Sequence, residues 1–349
     1  MSKITDRISA ETGIPGLFET LAQEIPPTDL QSLLLAVYQS RARTIREADL
    51  LARSTPLTAP STVDARLLNQ FDRIAFTTAA DFEAIDLSPV SPFGSSFALG
   101  GIDQNNVVTT IRNAEILGDS TEPLALECAR RRKQNRATEV RLACSHRVIR
   151  MQPFDTSGFT PHFRLFALVS AGRDTGSSEF EMRHMTGHIR FYLELCRALG
   201  RLTTPLVEVS DLAITEALLK DRGVSREEIR EAVRAHRPGS SERFLAERRI
   251  ELPVSDPRLN PIDQHVFAAL RPQFPEAEFR LNLSRLEGIG YYSGLALRIS
   301  PQAPDGVRYA AIDGGFTDWT ARLLSDRKER LLTSGIGSEF VCRRFLSVL

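Results

Sequence analysis

Glu287-Gly-Ile-Gly-Tyr-Tyr-Ser-Gly294 is the stretch on which the reading of this chain turns. It follows a polar–apolar alternation, Phe279-Arg-Leu-Asn-Leu-Ser-Arg-Leu286, and precedes a second strand-like run, Leu295-Ala-Leu-Arg-Ile299. Alternation at period two marks half-buried strands, so the spacing predicts two strands joined by a glycine-flanked tyrosine pair. Glycine allows close backbone approach, and tyrosine supplies a flat wall with a polar tip. The residues alone favour a Gly-rich hairpin with two core tyrosines over the wall of a binding cavity.

The surrounding order separates the two. The stretch resembles the Arg-Gly-Leu-Asp-Tyr-Tyr-Thr-Gly signature of histidyl-tRNA synthetases and their catalytic-core paralogues. Ala310-Ala-Ile-Asp-Gly-Gly-Phe-Thr-Asp318 is similar to that family's Gly-Gly-Arg-Tyr-Asp element: Gly314, Gly315 and Asp318 match, Phe316 and Thr317 depart. Ser334-Gly-Ile-Gly-Ser-Glu-Phe-Val-Cys-Arg-Arg-Phe345 resembles class II motif 3, which places Arg344, or Arg343 one register away, toward an ATP γ-phosphate. Upstream, Leu117-Gly-Asp-Ser-Thr-Glu-Pro-Leu124 is similar to the Arg-Pro-Glu-Gly-Thr element, so Asp119, with Thr121 beside it, stands where a glutamate holds the substrate amino group. Arg141 to Gln152 and His162 to Arg173 resemble the two strands of motif 2, with Arg150 on the arginine that grips the α-phosphate.

The resemblance spans residues 61 to 349 and implies an α+β fold: a class II synthetase-type antiparallel sheet flanked by helices. An N-terminal helical extension (1–60) would precede a core divided into 61–205 and 281–349 by a helical insertion (206–280). Residues 63–76, a strand-like run from Phe82 and the prolines to Pro92 resemble motif 1, which implies a homodimer. The family's anticodon-binding domain has no counterpart here, which makes tRNA an unexpected partner.

The implied chemistry is activation of a carboxylate by ATP with Mg²⁺. Charge builds on the α-phosphate oxygens during in-line attack, and arginine stabilises it with a planar, permanently charged fork. The resemblance gives Arg150 and Arg344 that role, places Gly315 with them in the nucleotide site, and assigns Asp119, Thr121, Tyr291, Tyr292 and Gly294 to the amino-acid substrate. Two departures stand out. The family's catalytic arginine, four residues before the first tyrosine, is replaced by Glu287, which could hold Mg²⁺ as a carboxylate ligand or mark the loss of adenylation; Arg285 lies two positions away. The family's imidazole-reading glutamine and glutamate fall on Leu168 and Gly172, so histidine is not the expected substrate; the adjacent Arg173 could read an acidic group, or be neutralised by Asp174.

Three functions follow: an ATP-dependent ligase that passes an activated amino acid or analogue to an acceptor other than tRNA; a non-catalytic regulator similar to the regulatory subunit of ATP phosphoribosyltransferase in histidine biosynthesis; and a scaffold whose N-terminal helices bind a partner protein. The surviving arginines favour the first.

Composition sets the outer limits. The chain has 349 residues, 42% hydrophobic and 25% charged, enough for a sizeable core. Its 44 basic and 44 acidic residues cancel, so no global positive field draws it to a polyanion. Cys128, Cys144, Cys196 and Cys342 form no Cys-x-x-Cys pair and read as structural thiols. No apolar run approaches a membrane span, and a cytoplasmic protein is expected. Pro26-Pro-Thr-Asp29 predicts a helix start, with a helix running toward Ala52 and a linker over 54–62. Glu179 to Gly200 reads as an amphipathic helix that carries His184 and His188 on one polar face. Ser225-Arg-Glu-Glu228 reads as a capping box.

Overall fold

A computed structural model describes residues 3–151, 160–233 and 239–346. Its centre is an eight-stranded sheet built from β1 (Glu83–Ala84), β4 (Val140–Ile149), β5 (His162–Arg173), β6 (Thr203–Asp211), β7 (Glu278–Leu281), β8 (Leu295–Gln302), β9 (Ile312–Thr317) and β10 (Glu329–Ile336). The strands lie in the order β1-β4-β5-β10-β9-β8-β6-β7. Only the two outer pairs, β1 with β4 and β6 with β7, are parallel. A small two-stranded sheet, β2 (Val90–Pro92) with β3 (Ala114–Ile116), stands apart. This is the α+β architecture expected from the sequence.

Alternation assigns the two faces. Leu168, Val207, Val209, Leu297, Ile299, Ile312, Phe316, Leu332 and Ile336 point to one side, where helices Glu179–Leu199 and Ala65–Thr78 and the C-terminal helical segment bury them. On the other side Val140, Leu142, Cys144, Ala167, Val169, Ala171 and Leu331 pack beneath helices Thr121–Gln134 and Trp319–Leu324. Arg132 and Glu329 tie the first of these helices to β10 by a two-pronged pair, 2.9 and 2.8 Å, at 1% and 0% side-chain exposure.

Several expectations change in three dimensions. The two strands flanking the tyrosines do not form a hairpin: β6 lies between β7 and β8, and residues 282–294 cross its end. The crossing is tight because Gly288 and Gly290 take φ of 96° and 84°, which lets the amides of Tyr291 and Tyr292 both reach the Gly288 carbonyl at 2.9 Å. Since β6 and β7 belong to the main sheet, the helical insertion runs from Leu212, not from residue 206, and ends before Glu278. Its capping box is formed in full, with Ser225 and Glu228 bonding reciprocally.

Helix Glu179–Leu199 stops at Gly200, φ 68°. His184 and His188 are buried on its sheet-facing side, not on a polar face. His188 lies between the hydroxyls of Ser170 (3.0 Å) and Ser334 (2.7 Å), and His184 meets Glu139 at 3.2 Å. The N-terminal extension is helical, but the main helix ends at Ala42 rather than Ala52, and no residue of its helices is buried. All four cysteines are buried and none is in a disulfide. Among the described residues no helix is long and apolar enough to cross a membrane.

Candidate functional site

The sheet face beneath helix Thr121–Gln134 carries the polar groups. Strand registers set Cys144, Ala167, Gly335, Asp313, Arg298, Glu208 and Arg280 side by side in one row across seven strands. Over this row sit Tyr291 and Tyr292, edge to face with centroids 5.0 Å apart and an angle of 87°. Tyr291 also meets Trp319 edge-on at 5.2 Å. The two rings divide the site into two charged halves.

The Tyr291 half is built from the turn before helix Thr121–Gln134. Asp119 Oδ1 accepts the Thr121 amide and hydroxyl, both at 2.9 Å, an arrangement that holds the first turn. Its Oδ2 accepts from Arg150 at 2.9 Å, while Arg150 Nε donates to the Gly118 carbonyl at 2.8 Å. The Arg150 guanidinium lies over Phe163, 5.4 Å from the ring centre. The Tyr291 hydroxyl stands 3.4 Å from that of Thr121. Asp119, Thr121 and Arg150, far apart in sequence from Tyr291, are thus brought together with it.

Behind them lies a buried carboxyl absent from the sequence reading. Glu122 Oε2 accepts from Ser96 Oγ at 2.8 Å, and Glu115 accepts the amides of Gly94 (2.9 Å) and Ser96 (2.7 Å). Burial, then the Asp119 charge, push the Glu122 carboxyl up to about 8, so it stays protonated near neutrality. One helical step from Thr121 is a signal only once the helix start is known.

In the Tyr292 half, the Tyr292 hydroxyl donates to Asp313 Oδ1 at 2.9 Å. Arg285, 3% exposed, donates to both Asp313 oxygens (2.8 and 2.9 Å) and to the carbonyls of Glu287 and Leu297 (both 3.0 Å). Gly315 is required here: a Cβ would lie 2.6 Å from Tyr292 Cδ1. Glu287 meets Arg298 at 3.4 Å, and Arg298 Nε approaches Asp313 Oδ2 at 3.5 Å. Glu208 is held by Arg280 (2.6 Å) and Asn282 (2.8 Å). Arg298 and Asp313 escaped the sequence reading because only the strand registers join them to Glu287.

Other sequence-chosen residues lie elsewhere. Arg344 stacks on Tyr309, 5.8 Å from the ring centre, and Tyr309 packs edge-on against Phe340 and Phe345 of the opposite core. The structure does not bring Arg344 to Arg150. Arg173 pairs with Asp326 at 3.6 Å, six residues along β5 from Ala167, or about 20 Å. Its neighbour Asp174 is taken by Arg330 at 2.8 Å. Gly294 faces away from the rings, its carbonyl accepting the Leu212 amide, and lines a separate groove of about 900 Å³ with Ser293, Thr317 and Arg322.

Leu168 and Gly172 face the opposite core. A Cβ at Gly172 would stand 2.4 Å from Phe180, so that ring fills the space. The β5 positions on the site face are Ala167, Val169 and Ala171, equally without a carboxylate.

ATP and Mg²⁺ can be tested against this arrangement. Arg285 is spent on Asp313 and two carbonyls, Arg344 lies with the other core, and Glu287 is paired with Arg298. No group of three or more His, Cys, Asp or Glu able to hold a metal gathers among the described residues. Among the described residues, Arg285, Arg344 and Glu287 do not form an Mg–ATP cradle.

Comparison with solved structures identifies the fold. The chain is similar to an ATP phosphoribosyltransferase regulatory subunit/histidyl-tRNA synthetase from Bacillus halodurans, at 13% identity and TM-score 0.58, covering 83% of this chain and 82% of that one. It is similar to histidyl-tRNA synthetase from Nostoc (15%, TM-score 0.59, 83% and 74%) and to a histidine–tRNA ligase subunit from Alicyclobacillus acidocaldarius (15%, TM-score 0.57, 82% and 95%). No protein-family model and no curated sequence matches. The chain has the class II synthetase-like fold of these proteins.

Proposed function

We propose that this chain binds an amino acid, or an analogue with a free ammonium group, in the Tyr291 half of the site, and acts as a ligand-responsive subunit on a synthetase-type core. The observation that carries the reading is the convergence of three oxygens, from Asp119, Thr121 and Tyr291. An ammonium offers three donors, and a carboxylate has roughly four acceptor positions, of which Asp119 uses three. The long Thr121–Tyr291 contact leaves both hydroxyls able to accept. A regulatory role is supported by the commitment of Arg285, Arg344 and Glu287 to other partners, and resembles the first function in the name of the Bacillus halodurans protein.

The second reading is ATP-dependent activation of the amino acid for a non-tRNA acceptor. It is favoured by Arg150, which shares the face and the carboxylate of the ammonium pocket. In either case histidine is not the expected ligand. A homodimer is part of the proposal: Val90, in the segment resembling motif 1, and Phe93 and Phe97 just after it are exposed. The exposed Ile4, Ile8, Val37 and Tyr38 of the extension suit a protein partner.

Thermal unfolding against an amino-acid panel tests the reading, because a ligand at a hundred times its Kd adds about 2.7 kcal/mol. Wild type should respond to one amino acid and Asp119→Asn should not. Equal responses would remove Asp119 from the pocket. ATP–pyrophosphate exchange dependent on that amino acid would replace the regulator by the ligase.

A further inference from the structure

Arg298 is the cation of this face with the weakest internal claim on it. Its row neighbours are carboxylates already taken: Asp313 by Arg285 and Tyr292, Glu208 by Arg280 and Asn282. Their bonds are 2.6 to 2.9 Å, the range of strong charge-assisted contacts. Arg298 reaches Glu287 at 3.4 Å and Asp313 at 3.5 Å, and its buried Nε makes no hydrogen bond. An arginine fork offers five donors, and a buried donor left unmade is costly. Arg298 and Glu287 keep 22% and 20% side-chain exposure, so the pair can be reached. Glu287 opens the Gly288–Gly290 turn rather than lying in a strand, and Gly335, without a side chain, leaves the floor of the row low beside Asp313.

We infer that Arg298 is an oxyanion-binding subsite for which the Glu287 carboxylate is an internal stand-in. A phosphate or carboxylate group of the ligand takes the place of Glu287 and completes the fork at closer range. This names a second chemical feature of the ligand: beside the ammonium held at Asp119, it carries an acid group that reaches past the tyrosine pair. The inference rests on the ligand-binding reading of this face, but its test does not use the ammonium pocket.

Titration calorimetry with pyrophosphate and, separately, malonate on the full chain reads the subsite directly and distinguishes phosphate from carboxylate. Glu287→Gln removes the competing charge and keeps the shape. It should bind at least one probe about tenfold more tightly than wild type, which is about 1.4 kcal/mol. Arg298→Gln should lose that binding. Arg298→Lys, which keeps the charge balance but not the fork, should weaken it and provides the measurement if the glutamine variant does not fold. Equal affinity of wild type and Glu287→Gln for both probes, or unchanged binding in the Arg298 variants, would overturn the inference. Asp119→Asn separates the two proposals. It should leave probe binding intact while abolishing the amino-acid response; loss of the amino-acid response with no effect of Glu287 or Arg298 on the probes would leave the ammonium pocket standing and remove the subsite.

Discussion

Replacing Glu122 by glutamine should change how stability depends on pH. The Glu122 carboxyl, between Ser96 and Asp119, is raised from 4.5 to about 8 in the folded chain, first by burial and then by the Asp119 charge. The folded state therefore holds a proton that the unfolded state has released. Below pH 4.5 both states are protonated and the group costs nothing. As pH rises through the unfolded value stability falls, and it continues to fall until the folded pKa is passed. Between pH 6.5 and 8 the linkage amounts to about 1 to 2 kcal/mol lost. Burial lowers His184 to about 4, His188 well below its usual value and His146 in the same direction; their effect has the opposite sign and fades only once the unfolded imidazoles are deprotonated, about one pH unit above 6.5. Urea unfolding at pH 6.5, 7.2 and 8.0 measures the slope. Relative to Glu122→Gln, which keeps an acceptor for Ser96 and shares the histidine contribution, wild type should lose about 1 to 2 kcal/mol across the series. Parallel slopes would show that Glu122 is ionised throughout and would refute the account of its surroundings. The same proton links to function. A cation placed against Asp119 would lower the Glu122 pKa, by about 1 to 3 units when charges are within a few Å. Amine binding should then release protons and tighten from pH 6.5 to 8, as calorimetry in buffers of different ionisation enthalpy would register.

Two further outcomes follow from packing. Gly315→Ala would set a Cβ 2.6 Å from the Tyr292 ring, and the expected cost is about 1 to 3 kcal/mol in urea unfolding together with loss of the Tyr292–Asp313 bond; an unchanged stability would mean that the ring moves freely. Glu329→Gln leaves the buried Arg132 without its counter-charge and should cost about 3 kcal/mol or more, with a matching fall in Tm, whereas a loss below 1 kcal/mol would show that water reaches the pair.

The glycine–tyrosine stretch was a sound guide to the fold because its neighbours also carried local signals: the capping box at Ser225, the stop at Gly200, and strands marked by alternation. What sequence order could not convey was adjacency. Residues 279–286 and 295–299 read as a hairpin, yet β6 separates them, because pairing partners are set by the whole sheet and not by the shortest loop. Parity was the second gap. A register displaced by one residue moves a side chain to the other face, which is how Leu168 and Gly172 came to be read as pocket residues although both face the opposite core, where Phe180 covers Gly172. Asp119, Thr121, Arg150 and Tyr291 were legible because each lies within a short motif. Glu122, Asp313 and Arg298 were not, since their partners lie on other elements.

The surviving arginines gained a different meaning once their partners were visible. Read as a sequence, Arg150 is a cation for phosphate and Arg285 lies two positions from the catalytic-arginine position. In the fold each already has a carboxylate: Asp119 for Arg150, Asp313 for Arg285. Burying a guanidinium without a counter-charge would cost several kcal/mol, so a face that keeps its arginines must supply its own anions. Any ligand acid must then compete with a carboxylate already in place, and affinity becomes the difference between two ion pairs. Competition is least where the internal contact is longest and still within reach of solvent. That criterion excludes Arg285, whose pair is short and buried, and selects the Arg298–Glu287 pair. The glutamate at the family's arginine position is thus both the clearest departure from an ATP-dependent synthetase and the group through which this chain sets what it will accept.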